Sequence, residues 1–309
     1  MNDPEISPTP GSSVPTVQPS WCLIHAASRV VPTLIASPAI RQLQRAIGSQ
    51  EGRPMASVVV SMLARKGGVG KTSTALNVAG AALNDGAQSV LLVDMDAQAS
   101  LSRALLGPQV VDQLRPDQTV QAVAERTRTA GDVVRTTAVP GLLLVPSYPD
   151  LRVQPDAALH LAGVDATLVI IDTPPDIRDS ATRTALMAAH AVVSPLVPEA
   201  WAMQSVPGVQ QLLMGTGIVS NQNLMFAGWL LNMVQRVALH GVCIDTMQRL
   251  HGAAVFDNQV PAAVMFKEAA AAGLPITHHA PKSAGAKTIR AVYAELVDRI
   301  ARRLERGAA

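Results

Sequence analysis

The chain has 309 residues, 48% hydrophobic but only 3% aromatic, so it can bury a large core of Ala, Val, Leu, Ile and Met without disulfide or metal staples. With 25 Lys and Arg against 23 Asp and Glu, the net charge of +2 excludes an acidic tail and a wholly basic surface, and leaves charged partners to local patches. The two cysteines, Cys22 and Cys243, exclude a disulfide framework and a four-thiolate metal site within one chain, which suits a reducing cytosol. No apolar run reaches the roughly 20 residues that span a bilayer. The richest, 223–234, contains Trp229 and Asn232.

Residues 1–20 carry five prolines among Ser, Thr and Gly, a composition that cannot offset the entropy of ordering and predicts disorder. Acidic Asp3 and Glu5, with no basic segment before an apolar one, do not read as a secretory signal. Ser37-Pro38 before 39–47 reads as the capped start of a short helix, and Arg53-Pro54 breaks the chain before Met55. Residues 1–54 are therefore an expected proline-rich extension, with Met55 an alternative translation start, and 55–309 the folded domain.

From Ser57 onward, apolar runs of strand length fall at 58–63, 90–93, 142–145, 168–171, 191–196 and 224–231. Most are continuous rather than alternating, as strands covered on both faces should be. Helix-period segments separate them at 72–84, 119–126, 180–190, 202–214 and 239–250, and 287–306 reads as a closing helix. Strands alternating with helices predict an α/β fold with a doubly wound, mostly parallel sheet.

The first strand runs into Lys66-Gly67-Gly68-Val69-Gly70-Lys71-Thr72-Ser73 and then a helix. Glycines let backbone N–H groups curl around an anion, and the helix N-terminus adds partial positive charge, so a nucleotide phosphate is the expected occupant. In such a loop Lys71 reaches the β and γ phosphates and the Thr72 hydroxyl ligates Mg²⁺. The usual phosphate-loop pattern has a glycine where this chain has Arg65, and gains a second lysine, Lys66. Two further strands deliver carboxylates at their C-terminal ends, the edge where open α/β sheets bind ligands: Asp94 and Asp96 after 90–93, and Asp172 after 168–171. Asp172 reads as the residue holding Mg²⁺ through water.

The Lys66–Lys71 loop resembles the deviant Walker A motif of the ParA/MinD family of P-loop NTPases (SIMIBI class), and 55–304 resembles ParA/Soj-type partition ATPases. Segments that carry the likeness include Pro198-Glu199-Ala200-Trp201-Ala202, Val260-Pro261, Lys267-Glu268-Ala269 and Gly273-Leu274-Pro275-Ile276. The resemblance implies Mg²⁺-dependent, slow, partner-stimulated ATP hydrolysis, with Lys66 reaching the partner's phosphates in an ATP-bound homodimer. It implies that Asp96 positions the attacking water, Asp94 supports the metal shell, and Asn232 and Pro261 flank the adenine. It also implies a bacterial, cytoplasmic, nucleoid-associated switch for plasmid or chromosome partitioning, which binds nonspecific DNA in its ATP state and is stimulated by a ParB-type centromere-binding protein.

The chain departs from the family in Ala97-Gln98-Ala99, where Pro-Gln-Gly is usual, and in Ala262 and Met265, where many relatives carry Arg. Basic residues concentrate after 281 (Lys282, Lys287, Arg290, Arg299, Arg302, Arg303, Arg306), the expected DNA-facing region. The alternative function is a MinD-like membrane-associated positioning ATPase, in which Val292, Leu296, Val297, Ile300 and Leu304 would form an amphipathic anchor. Acids within that helix and the lack of a Phe or Trp wedge argue for packing on the sheet instead. An iron-sulfur relative is disfavoured because its paired interface cysteines are missing. His190, His278 and His279 read as surface or core residues, and Met203, Met214, Met225 and Met233 as core filler.

Overall fold

A computed structural model describes residues 57–213, 221 and 223–307. The expectations for 1–54, including the helix at 39–47 and the start at Met55, lie outside the described residues. Seven strands, β1 (Val58–Met62), β2 (Val90–Asp94), β3 (Arg135–Thr136), β4 (Leu142–Val145), β5 (Leu168–Asp172), β6 (Ala191–Leu196) and β7 (Met225–Leu231), form one sheet in the order β3-β4-β2-β5-β1-β6-β7. All pairings are parallel except the short antiparallel β3–β4. The helices are α1 (Lys71–Asn84), α2 (Ser100–Leu106), α3 (Pro108–Val111), α4 (Val120–Ala124), α5 (Ala130–Val133), α6 (Ser180–Ala188), α7 (Ala200–Met203), α8 (Val206–Leu213), α9 (Ala238–His251), α10 (Val264–Ala271), α11 (Ile276–His279) and α12 (Ala284–Gly307).

Side chains alternate across a strand, so a continuous apolar run serves two cores. Val58, Val60 and Met62 of β1 with Leu92 of β2 pack under α1 and α12, against Leu76, Val78, Ile289, Val292, Leu296 and Ile300. Val59, Leu91, Val93, Val169 and Ile171 face the opposite layer, against Val120 and Val123 of α4, Ala130 of α5, and Ala181 and Ala185 of α6. A third cluster joins β6 and β7, including Trp229, to α8 and to Met247 of α9. The stripe Val292, Leu296, Val297 and Ile300 is buried, so the face that a membrane anchor would expose is used up by the sheet. Among the described residues no helix is long and apolar enough to cross a membrane.

The structure shifts several expected boundaries for local reasons. The segment at 119–126 keeps helix only over α4, with Thr119 capping it through a hydrogen bond from Gln121 N–H and Arg126 in the left-handed region at φ 58°. The segment at 180–190 ends at Ala188, and His190 Nδ1 instead accepts the Val59 N–H at 2.9 Å. The single helix expected at 202–214 is two, α7 and α8, and Pro207 falls in the first turn of α8, where its missing N–H costs nothing. Met214 lies outside the described residues. α2, α3, α5, α10 and α11 were not foreseen.

Candidate active site

β1, β2, β5, β6 and β7 run parallel, so the loops leaving their C-terminal ends share one edge. The loop after β1 enters α1 at Gly70, whose φ of 85° belongs to the left-handed region that glycine adopts without strain. A Cβ there would lie 2.3 Å from Asn232 Nδ2. Asn232 Nδ2 donates to the Val69 carbonyl at 2.8 Å while its Oδ1 accepts the Met233 N–H at 2.9 Å, so the loop after β7 props up the phosphate loop. The first turn of α1 carries no acidic residue and no side-chain cap, and its uncompensated N–H groups suit an anion. Lys66, Gly67 and Gly68 are exposed along this loop, Ser73 is half-buried in α1, and Lys71 is buried. Burial pushes the Lys71 ammonium below its ordinary pKa, with Asp172 and Asp96 pulling the other way.

Arg65, at the position that departs from the usual pattern, reaches α8. Its guanidinium lies over α8, where a Cβ on Gly208 would come within 2.8 Å of Nη1.

Asp94 and Asp172 are direct cross-strand neighbours in the β2–β5 register, and both are buried. Burial pushes both carboxyls above the ordinary carboxylate range, and Asp94 adds to the push on Asp172. Their hydrogen bonding differs. Asp172 Oδ2 accepts from the Thr72 hydroxyl at 2.6 Å, but its buried Oδ1 has no partner among the described residues. An unpartnered buried carboxylate oxygen is costly, and beside a hydroxyl and an incoming phosphate it fits a hard divalent cation such as Mg²⁺, which takes oxygen ligands. Asp94 by contrast is occupied: Oδ2 accepts the Ser102 N–H (2.9 Å) and hydroxyl (2.7 Å), and Oδ1 accepts the Asp96 N–H (3.1 Å).

Asp96 follows in a tight turn, where its Oδ1 accepts the Gln98 N–H at 2.9 Å and its carbonyl accepts the Ala99 N–H at 2.8 Å. Ala99 is in the left-handed region at φ 50°, a conformation that glycine adopts more readily than alanine. Ser102 and Ser147, both fully buried and bonded around Asp94 and Asp96, carried no sequence signal that singled them out. A buried serine has no periodicity or motif of its own.

Asn232 and Pro261 meet in one cleft of about 380 Å³, with Ser73, Thr74, Met233 and Phe266 also lining it. The segment that carries Pro261 is fixed beside β7 by bonds from Val234 N–H to the Val260 carbonyl (3.0 Å) and from Ala262 N–H to the Val234 carbonyl (2.9 Å). Met233, expected in the core, is 36% exposed at the mouth of this cleft with φ 54°, because Asn232 takes the inward position.

The C-terminal basic run divides. Arg299 turns inward, donating to the carbonyls of Ala227 (3.0 Å), Ala253 (2.7 Å) and Val255 (2.6 Å), pairing with Glu295 (2.8 Å) and stacking on Phe256 at 4.4 Å. Arg290 donates to the Pro281 carbonyl at 2.8 Å and Arg302 pairs with Asp298. Lys282, Lys287, Arg302 and Arg303 are exposed, and the Arg306 side chain lies outside the described set. Arg299 is thus removed from the expected DNA-facing set, since a guanidinium with its donors spent on the fold has little left for a phosphate.

Comparison with known proteins fits this geometry. A family model described as an AAA domain matches residues 57–225. The chain is 31% identical over 253 residues to the chromosome-partitioning ATPase Soj of Thermus thermophilus, covering 78% of this chain and 96% of that one. Among solved structures, a putative plasmid partition protein of Borrelia burgdorferi bound to AMPPNP matches with a TM-score of 0.61 at 16% identity, over 80% of this chain and 100% of that one. Apo McdA of Cyanothece matches with a TM-score of 0.63 at 17% identity, over 78% and 100%. These two likenesses concern the fold. With its phosphate loop, its paired strand-end carboxylates and its likeness to Soj, the chain belongs to the ParA/Soj family of partition ATPases.

Proposed function

We propose that this chain is an ATP-timed partition switch: Mg²⁺·ATP joins two copies face to face, the dimer holds nonspecific duplex DNA, and hydrolysis stimulated by a ParB-type partner releases it. The observation that carries the reading is the unpartnered Asp172 Oδ1 beside Thr72 and Lys71 at the mouth of the phosphate loop. Phosphoryl transfer asks a protein mainly for positioning and charge neutralisation.

Thr72 and Asp172 would hold Mg²⁺, which when bound neutralises charge on the β and γ phosphoryl oxygens. Lys71 and the loop amides bind the phosphates from within the chain. Asp96 orients the attacking water, and Asp94, with both oxygens engaged, holds the Asp96 backbone from behind rather than facing the cation. The cleft of Asn232 and Pro261 takes the adenine, flanked by mostly apolar and neutral side chains with Lys267 among them. Lys66 completes the partner's site across the dimer. Among the described side chains, exposed Lys282, Lys287, Arg302 and Arg303 are the cations on α12 and its approach that remain for DNA phosphates.

Sedimentation with a non-cleavable ATP analogue and Mg²⁺, with and without arbitrary duplex DNA, tests the reading. A dimer that forms with the analogue and then moves with the DNA, neither step occurring with Lys71→Ala, is the expected result. Wild-type protein that stays monomeric at saturating analogue would sink it.

A further inference from the structure

A serine in a dry core is costly unless its hydroxyl is bonded. Ser102 and Ser147 are both 0% exposed. Ser102 Oγ donates to Asp94 Oδ2 at 2.7 Å and accepts the Ser147 N–H at 2.9 Å. Ser147 Oγ in turn donates to the Asp96 carbonyl at 2.8 Å, and Asp94 Oδ1 accepts the Asp96 N–H at 3.1 Å. The chain of bonds therefore leaves Asp96 by its amide and returns to it by its carbonyl, passing through Asp94, Ser102 and Ser147. Three separate pieces of the fold, the ends of β2 and β4 and the start of α2, converge on the peptide groups of one residue. With Oδ1 held by the Gln98 N–H, this ring sets the direction of the carboxylate.

We propose that Ser147 is a positioning residue for ATP hydrolysis, holding the Asp96 carboxylate on the attacking water through this buried ring. The proposal rests on the assignment of Asp96 to that water. Ser147 itself lies behind the turn and bonds the main chain of Asp96, so its removal acts on the step that Asp96 serves and leaves the phosphate loop and the adenine cleft alone. The Asp96 carbonyl keeps its bond from Ala99, so the turn survives while its tilt is freed. A displacement of about 1 Å at a reacting group costs on the order of 10²-fold in rate.

The experiment is a double-mutant cycle on Mg²⁺·ATP hydrolysis by the full chain, with binding of a fluorescent ADP analogue measured in parallel. Ser147→Ala is expected to lower kcat by about 10- to 100-fold with KM and ADP-analogue affinity within about twofold of wild type. Asp96→Ala lowers kcat at least as far, and adding Ser147→Ala to it changes nothing more, because the serine acts through the aspartate. Wild-type kcat in Ser147→Ala, or losses that multiply in the double variant, overturns the positioning role while leaving Asp96 in place. Wild-type kcat in Asp96→Ala overturns the assignment of Asp96 and the proposal with it. Should Ser147→Ala not fold, the near-isosteric Ser147→Cys, whose S–H is a weak and longer donor, reads the same quantity: a fall in kcat supports the proposal and an unchanged kcat overturns it.

Discussion

Asp172 is a carboxylate 1% exposed with one oxygen on Thr72 and the other on no described donor, next to the buried Asp94. Leaving a buried acceptor unpaired costs about 1–3 kcal/mol, more when it is charged. In the proposed function that oxygen is the one offered to Mg²⁺. Asp172→Asn removes the charge while keeping an acceptor for Thr72. In the nucleotide-free protein at pH 8, above the folded value of about 7, it should therefore melt higher than wild type, because the buried charge and its repulsion with Asp94 are gone. Addition of Mg²⁺·ATP should raise the wild-type melting temperature and leave the variant's nearly unmoved, with hydrolysis lost in the variant. Scanning calorimetry with and without Mg²⁺·ATP measures both, and a variant that melts lower than wild type when nucleotide-free would show that the carboxylate already has its partner within the chain.

Between elements, the long closing helix α12 is tied to the sheet edge by one ion pair rather than by its apolar stripe alone. Glu295 accepts the Asp257 N–H at 2.8 Å, the Asn258 N–H at 3.0 Å and side chain at 2.8 Å, and the Arg299 guanidinium. Burial pushes this carboxyl up, but the bonds from Asn258, Asp257 and Arg299 together outweigh it and hold the pKa below its ordinary 4.5. A depressed acid stabilises the fold above its unfolded value, and the contribution disappears as pH falls through the folded value. Wild type should thus melt above Glu295→Gln at pH 7, and the gap should narrow as pH falls from 4.5 through the folded value, where Glu295 becomes as neutral as the glutamine. A gap that does not narrow on acidification would place the effect in packing instead.

The same helix shows what sequence could and could not convey. Continuous apolar runs gave away the two-layered strands, and Lys66–Ser73, Asp94, Asp96 and Asp172 were legible because a phosphate loop and a strand-end carboxylate each have a required residue at a required spacing. Arg299 was read with the other cations because charge counting cannot tell which side of a helix meets carbonyls. Ser102 and Ser147 were invisible because their partnership spans 45 residues and depends on the β2–β4 pairing, which no local pattern encodes. α2 and α10 are short and largely apolar around, so neither shows a clean amphipathic period.

At the scale of the whole molecule, the sheet gathers Lys66, Lys71, Asp96, Asp172 and the Asn232–Pro261 cleft at the C-terminal edge of its strands, which is the edge the proposed dimer would bring face to face with its copy. Lys66 is exposed there while Lys71 is buried, a division that suits one lysine to the partner's nucleotide and the other to its own. If the partner's Lys66 acts in trans as an arginine finger does, its loss should cost on the order of 10³–10⁵ in rate. The two defects should also complement, because Lys66→Ala cannot serve its partner's site and Asp96→Ala cannot use its own, yet a mixed dimer contains one site with both groups. With equal amounts and random pairing, half of the dimers are mixed and each has one complete site, so hydrolysis should recover to about a quarter of the wild-type rate. Steady-state hydrolysis by each variant alone and by their mixture decides the point: a mixture as inactive as its components, or Lys66→Ala hydrolysing ATP at the wild-type rate, places Lys66 outside the partner's chemistry.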